Sequence, residues 1–174
     1  MNHKASQGTD ISVLLVDDEK DFLEQMKLFL KRENSIIKPD MVSSGSKALE
    51  KLSNNSYDCI VSDYQMPGMD GLDLLETIRK ERNNEIPFIV FTGKGREEVA
   101  MRALNLGASR YIQKGGDPKS QYGVLAESII QEVKRSKVEF EKKKVESEFS
   151  SVVKGSDNPI YIVDSNARIL FANQ

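Results

Sequence analysis

The chain has 174 residues, and 25 Lys+Arg against 27 Asp+Glu leave a formal net charge of −2, so no basic surplus points to nucleic acid or an anionic membrane. One cysteine, Cys59, excludes an intrachain disulfide or a Cys-rich zinc site, and one histidine, His3, would have to carry any Ser-His-Asp triad or His-metal cluster alone. No apolar run approaches the ~20 residues of a membrane span, and MNHKASQGTD lacks the apolar core of a secretory signal, so a soluble, cytoplasmic protein is expected.

Residues 1–10 read as a polar, frayed tail. Ile11–Val16 (ISVLLV) is short and β-branched, which predicts a buried strand. Residues 20–32 place Phe22, Met26, Phe29 and Leu30 at helical spacing. Ile36–Val42 is a weaker strand whose Pro39 suits a sheet edge, because proline cannot donate to a ladder. A short helix follows over Ser46–Leu52, then a strand over Tyr57–Ser62 holding Cys59 as a small core residue. Leu72–Glu81 reads as a helix, Pro87–Phe91 as a strand, Glu97–Leu106 as a helix, Ser109–Ile112 as a short strand, and a long helix starts near Pro118. Five strands alternating with helices predict a doubly wound parallel sheet, α/β in class, with ligands beyond the carboxyl ends of the strands.

Those ends carry the chemistry. Strand one runs into Asp17, Asp18 and Glu19, strand three into Asp63, strand four into Thr92-Gly93, and strand five into Lys114-Gly115-Gly116. Asp17, Asp18 and Asp63 crowd three negative charges, and Lys114 returns one. A divalent cation balances the rest. An all-oxygen donor set favours Mg²⁺ over zinc. Asp63 is the natural nucleophile for an aspartyl-phosphate, with Asp17 and Asp18 on the metal and Thr92 and Lys114 on the phosphoryl oxygens. The segment GKG at 93–95 lacks the spacing of a nucleotide-binding P-loop.

The motifs DD at 17–18, DYQMPGMDG at 63–71, FTG at 91–93 and YIQK at 111–114 together resemble the receiver domain of two-component response regulators, over about residues 11–134. The resemblance implies a flavodoxin-like fold with strand order 2-1-3-4-5 and a phosphorelay role. A histidine kinase or phosphotransfer protein would donate the phosphoryl group to Asp63. It implies metal binding by Asp17, Asp18 (the direct ligand), Asp63 and the backbone carbonyl of Gln65, and a rotating aromatic switch at Tyr111 coupled to Thr92. The face made by helix four, strand five and helix five would then change. Such a module catalyses its own phosphorylation and dephosphorylation, and no kinase core is present. The sequence departs from the family after Lys114, where many receivers have proline in a cis bond and this chain has Gly115-Gly116. A rival class is a Mg²⁺-dependent phosphatase of the dehalogenase type, although that family resembles D-x-D after its first strand and DD stands here.

Past Arg135 charges of both signs continue without Gly or Pro, which predicts a helical linker over 135–154. Val138, Val145 and Val152 recur every seven residues, a thin seam that fits either a lone exposed helix or a homodimeric coiled coil. Residues 155–174 read as two strands and a turn, and GSDNPIYIVDSNARILFANQ resembles the first strands of a PAS sensor domain. The whole would then be the N-terminal part of a larger receiver–PAS sensor kinase.

Overall fold

The structure, a computed structural model, describes residues 10–81, 84–93, 97–154, 161–163, 165 and 168–172. His3 and all of the expected tail but Asp10 lie outside them. In chain order the elements are β1 (Ile11–Val16), α1 (Lys20–Glu33), β2 (Ile37–Val42), α2 (Gly45–Asn54), β3 (Cys59–Ser62), α3 (Gly71–Glu76) with a π-helical turn (Thr77–Glu81), β4 (Phe88–Thr92), α4 (Glu97–Asn105), β5 (Arg110–Gln113), α5 (Pro118–Lys154), β6 (Tyr161–Val163) and β7 (Ile169–Ala172). The chain divides into one unit ending at Lys134 and another beginning at Arg135.

The first unit is built on a five-stranded parallel sheet of order β2-β1-β3-β4-β5, the doubly wound arrangement expected. Alternation along each strand separates two apolar layers. Val13 and Leu15 of β1, Cys59 and Val61 of β3, and Ile89 and Phe91 of β4 face Leu23, Met26 and Leu30 of α1 and Tyr122, Leu125 and Ile129 of α5. Leu14, Val16, Ile60, Phe88 and Val90 point the other way, onto Ala48, Leu72, Leu75 and Ala103 of α2, α3 and α4. Strands covered on both faces must be apolar throughout, which is why ISVLLV and CIVS do not alternate with polar residues. Pro39 sits on the edge strand β2, opposite Val13.

Several boundaries differ from the expected ones, and two of the shifts have a visible setting. β3 starts at Cys59 because Asp58 turns aside, its carboxylate accepting the Ser12 amide at 2.9 Å. The helix expected over 72–81 is α-helical only to Glu76. The wide turn that follows includes Arg79, whose guanidinium donates to the carbonyls of Asn84, Ile86 and Gly107 at 2.7–3.2 Å. It thereby holds the loop before β4 to the end of α4. Burial pulls the Arg79 pKa down, and the three carbonyls satisfy its donors in place of water.

β1 and β3 lie side by side, yet the chain leaves β1 toward β2 and leaves β3 toward β4. The crevice opens where these directions diverge. Asp17 and Asp63 stand at its two lips, each beginning right after its strand. In the second unit the rest of α5 exposes Val138, Phe140, Val145 and Phe149, and β6 pairs antiparallel with β7. The side chain of Val152 lies outside the described residues. Among the described residues no helix is long and apolar enough to cross a membrane.

Candidate functional site

Asp17 is 2% exposed and Asp63 9% exposed. Parallel pairing of β1 with β3 puts Val16 opposite Ser62, so the two aspartates emerge together, and the Asp63 N–H donates to the Val16 carbonyl at 2.8 Å. Two carboxylates out of water need a cation, and Lys114 supplies it. Its Nζ donates to Asp17 Oδ2 at 2.8 Å and to Asp63 Oδ1 at 2.9 Å. The ammonium also lies 4.0 Å from the ring centroid of Phe22 and 5.7 Å from that of Phe91. These faces attract the cation on its apolar side.

Each carboxylate has a second donor. The Glu19 amide reaches Asp17 Oδ1 at 2.9 Å, and the Gln65 amide reaches Asp63 Oδ2 at 2.6 Å. Burial nevertheless raises the Asp17 pKa above its ordinary value, against the pull of Lys114 and the Glu19 amide. The loop after Asp63 is fixed by close packing and capping. A Cβ on Gly71 would lie 2.1 Å from the Asp63 carbonyl oxygen, so only glycine fits. Asp70 caps α3, its Oδ1 accepting the Leu72 and Asp73 amides at 2.8 Å, and the Asp73 carboxylate accepts the Asp70 amide in return. Gly71 thus lets the loop close onto the backbone of Asp63.

Thr92 is buried at the end of β4, and its carbonyl accepts the Lys114 amide at 2.8 Å. Tyr111 packs its ring into the layer of α3 and α4, and its hydroxyl is buried without a hydrogen-bond partner among the described residues. Burial and the negative charge of Asp63 raise its pKa. Asp18 is exposed beside Asp17. Asp17, Asp63 and Lys114 are therefore in direct contact, Thr92 joins them through backbone, and Asp18 stays at the rim. Among the described residues no three His, Cys, Asp or Glu side chains gather into a ready cation cage. The reason is visible: Lys114 stands between two of the three carboxylates. The donor chemistry still fits Mg²⁺, being hard oxygen with two buried negative charges against one positive and a third negative charge at Asp18. Phe22 and Phe91 were expected only as core residues. Nothing in their spacing distinguishes a ring under an ammonium from one under a leucine.

A family model described as the response regulator receiver domain matches residues 13–122. The chain is 33% identical over 113 residues to the transcriptional regulatory protein ResD of Bacillus subtilis, covering 65% of this chain and 45% of ResD. It therefore spans about half the length of that curated relative. Among solved structures, a response regulator receiver domain protein from Clostridium thermocellum superposes with a TM-score of 0.64 at 28% identity, covering 74% of this chain and 98% of that one. The signal receiver domain of a signal transduction histidine kinase from Syntrophus aciditrophicus does so at 0.61 and 27%, covering 71% and 90%.

The bridging role of Lys114 has a measurable consequence. Lys114→Met leaves two buried carboxylates facing each other, which should cost about 3 kcal/mol in urea unfolding with chelator present. Adding Asp17→Asn should recover most of that loss. Equal stability of Lys114→Met and the parent would contradict the bridge.

Proposed function

This chain belongs to the response regulator receiver domain family, and on that premise we propose that Asp63 is the side chain that takes up the phosphoryl group. One observation carries the reading: Asp63 ends the middle of the sheet with one oxygen on the Lys114 ammonium and the other on the Gln65 amide. Donors already aimed at a carboxylate stabilise charge on the phosphoryl group it would carry. A phosphohistidine of a histidine kinase or phosphotransfer protein is the donor. An Asp63 oxygen forms the new P–O bond, the P–N bond breaks, and the leaving imidazole nitrogen takes a proton. Lys114 neutralises charge on the transferring group, and the Thr92 hydroxyl donates to one of its oxygens. Asp17 and Asp18, with Asp63 and the carbonyl of Gln65, would hold Mg²⁺. When bound, the ion supplies positive charge to the phosphoryl oxygens.

Tyr111 is the switch in this reading. Its buried, unpartnered hydroxyl is a cost that rotation could relieve. Movement of Thr92 toward the phosphoryl group would change the room behind it and so the surface of α4, β5 and α5. The phosphatase alternative has no such support, since DD stands where that family resembles D-x-D.

Beyond the receiver, 135–154 is a helical linker and 155–174 the start of a PAS domain, so that a cytoplasmic receiver–PAS sensor kinase is the parent. The unbroken α5 and the antiparallel β6–β7 pair support that order, and the Syntrophus aciditrophicus receiver is one taken from a histidine kinase. The exposed Val138, Val145 and Phe149 would pair the linker with a second copy. Light scattering should then give a dimer for residues 1–174 and a monomer for residues 1–134; a monomer for both would remove the pairing.

For the phosphoacceptor itself, the parent should label with a radioactive small phosphodonor and Mg²⁺, and Asp63→Asn should not. Chelating the metal should slow labelling by about tenfold or more. Undiminished labelling of Asp63→Asn would overturn the assignment.

A further inference from the structure

The loop after Lys114 raises a mechanical problem. Gly115 and Gly116 follow the lysine at once, with φ of 155° and 81°. Among the described residues, their own chain neighbours aside, no atom lies within 4 Å of where a Cβ on either would stand. Neither a proline ring nor side-chain packing by the described residues therefore stiffens the segment that must hold Lys114 against Asp17 and Asp63, and glycine loses more conformational freedom on ordering than any other residue.

One contact supplies the missing restraint. The Gly115 amide donates to Gln121 Oε1 at 2.5 Å. Gln121 is a firm anchor, because it sits in the first turn of α5 next to a fully buried aromatic residue. Tyr122 is fully buried, stacks on Phe29 at 4.8 Å between ring centroids, and touches Phe22 and Phe91 at 6.3 and 6.4 Å. Those last two rings are the faces beneath the Lys114 ammonium. The same turn is capped by Asp117, whose Oδ2 accepts the Ser120 amide at 2.9 Å, and the Gln121 amide donates to the Asp117 carbonyl at 3.0 Å. Upstream, the Lys114 amide is tied to Thr92. Lys114 is thus held on its N-terminal side by β4 and on its C-terminal side by Gln121.

We propose that Gln121 is a positioning residue for Lys114: by accepting the Gly115 N–H it fixes the diglycine loop, aims the ammonium at Asp63, and sets the rate of phosphoryl uptake. The inference rests on Asp63 being the phosphoacceptor. Gln121 touches neither the carboxylates nor the transferring group, and it acts only through the backbone that carries Lys114. Its chemistry requires an acceptor at that point on α5, not an amide as such.

The test compares Gln121→Met, which keeps length and helix propensity but has no oxygen, with Gln121→Glu, which keeps the acceptor. Phosphorylation by a small phosphodonor with Mg²⁺ should be about tenfold slower in Gln121→Met and restored in Gln121→Glu, with the urea midpoint of both near that of the parent. Exchange of the Gly115 amide, followed by NMR without phosphodonor, should be about tenfold faster in Gln121→Met. Labelling of Gln121→Met at the parent rate, equal slowing of both variants, or unchanged Gly115 protection would overturn the proposal. Should the parent itself fail to label, the reading of Asp63 fails instead, and the Gly115 amide alone decides whether Gln121 anchors the loop.

Discussion

The site depends on one ammonium shared by two buried carboxylates. Asp17 and Asp63 come from strands that are neighbours in the sheet but not in sequence, and Lys114 comes from beyond β4. A lysine can make that reach where a shorter cation could not, and at 17% side-chain exposure its stem is covered for most of its length. Its charge then meets three requirements at once: it offsets the repulsion of the aspartates, it lies on the faces of Phe22 and Phe91, and it marks where anionic oxygens would be stabilised.

The balance is deliberately incomplete in physical terms. Two negative charges face one positive charge, and burial raises the Asp17 pKa even with Lys114 bonded to it. A site left short of positive charge is unfavourable by itself and favourable toward any cation that arrives. The same shortage disfavours burying a third carboxylate, in keeping with the exposure of Asp18. Stability and function pull against each other here: a neutral residue at 17 would suit the isolated fold better than it would suit the chemistry.

Much of this was legible beforehand because the relevant patterns are local. The apolar runs at 13–16, 59–61 and 88–91 announce strands buried on both faces, and Pro39 announces an edge. Acidic, hydroxyl and ammonium side chains immediately after successive strands announce a shared crevice. Contacts that need three dimensions stayed hidden. The Gly71–Asp63 approach, the grip of Arg79 on three carbonyls and the aromatic bed under Lys114 join residues whose spacing carries no period. The expectation of three carboxylates around a cation also lacked one fact, that Lys114 already stands between two of them.

β5 and α5 are joined at two places outside the crevice. Arg110, at the start of β5, holds Glu132 at 2.7 Å and Gln131 at 2.8 Å near the end of the receiver part of α5, while the Gly115 amide, just past the other end of β5, donates to Gln121 in the first turn of α5. The strand is thereby fastened to the receiver part of the helix near both of its ends. The proposed chemistry starts from an acyl phosphate on one side chain. The most direct measurement is borohydride reduction of the protein after phosphorylation, followed by mass spectrometry of its peptides. Homoserine at position 63 and nowhere else is the predicted result; homoserine at another aspartate, or none in a protein that has taken up phosphate, would contradict the account.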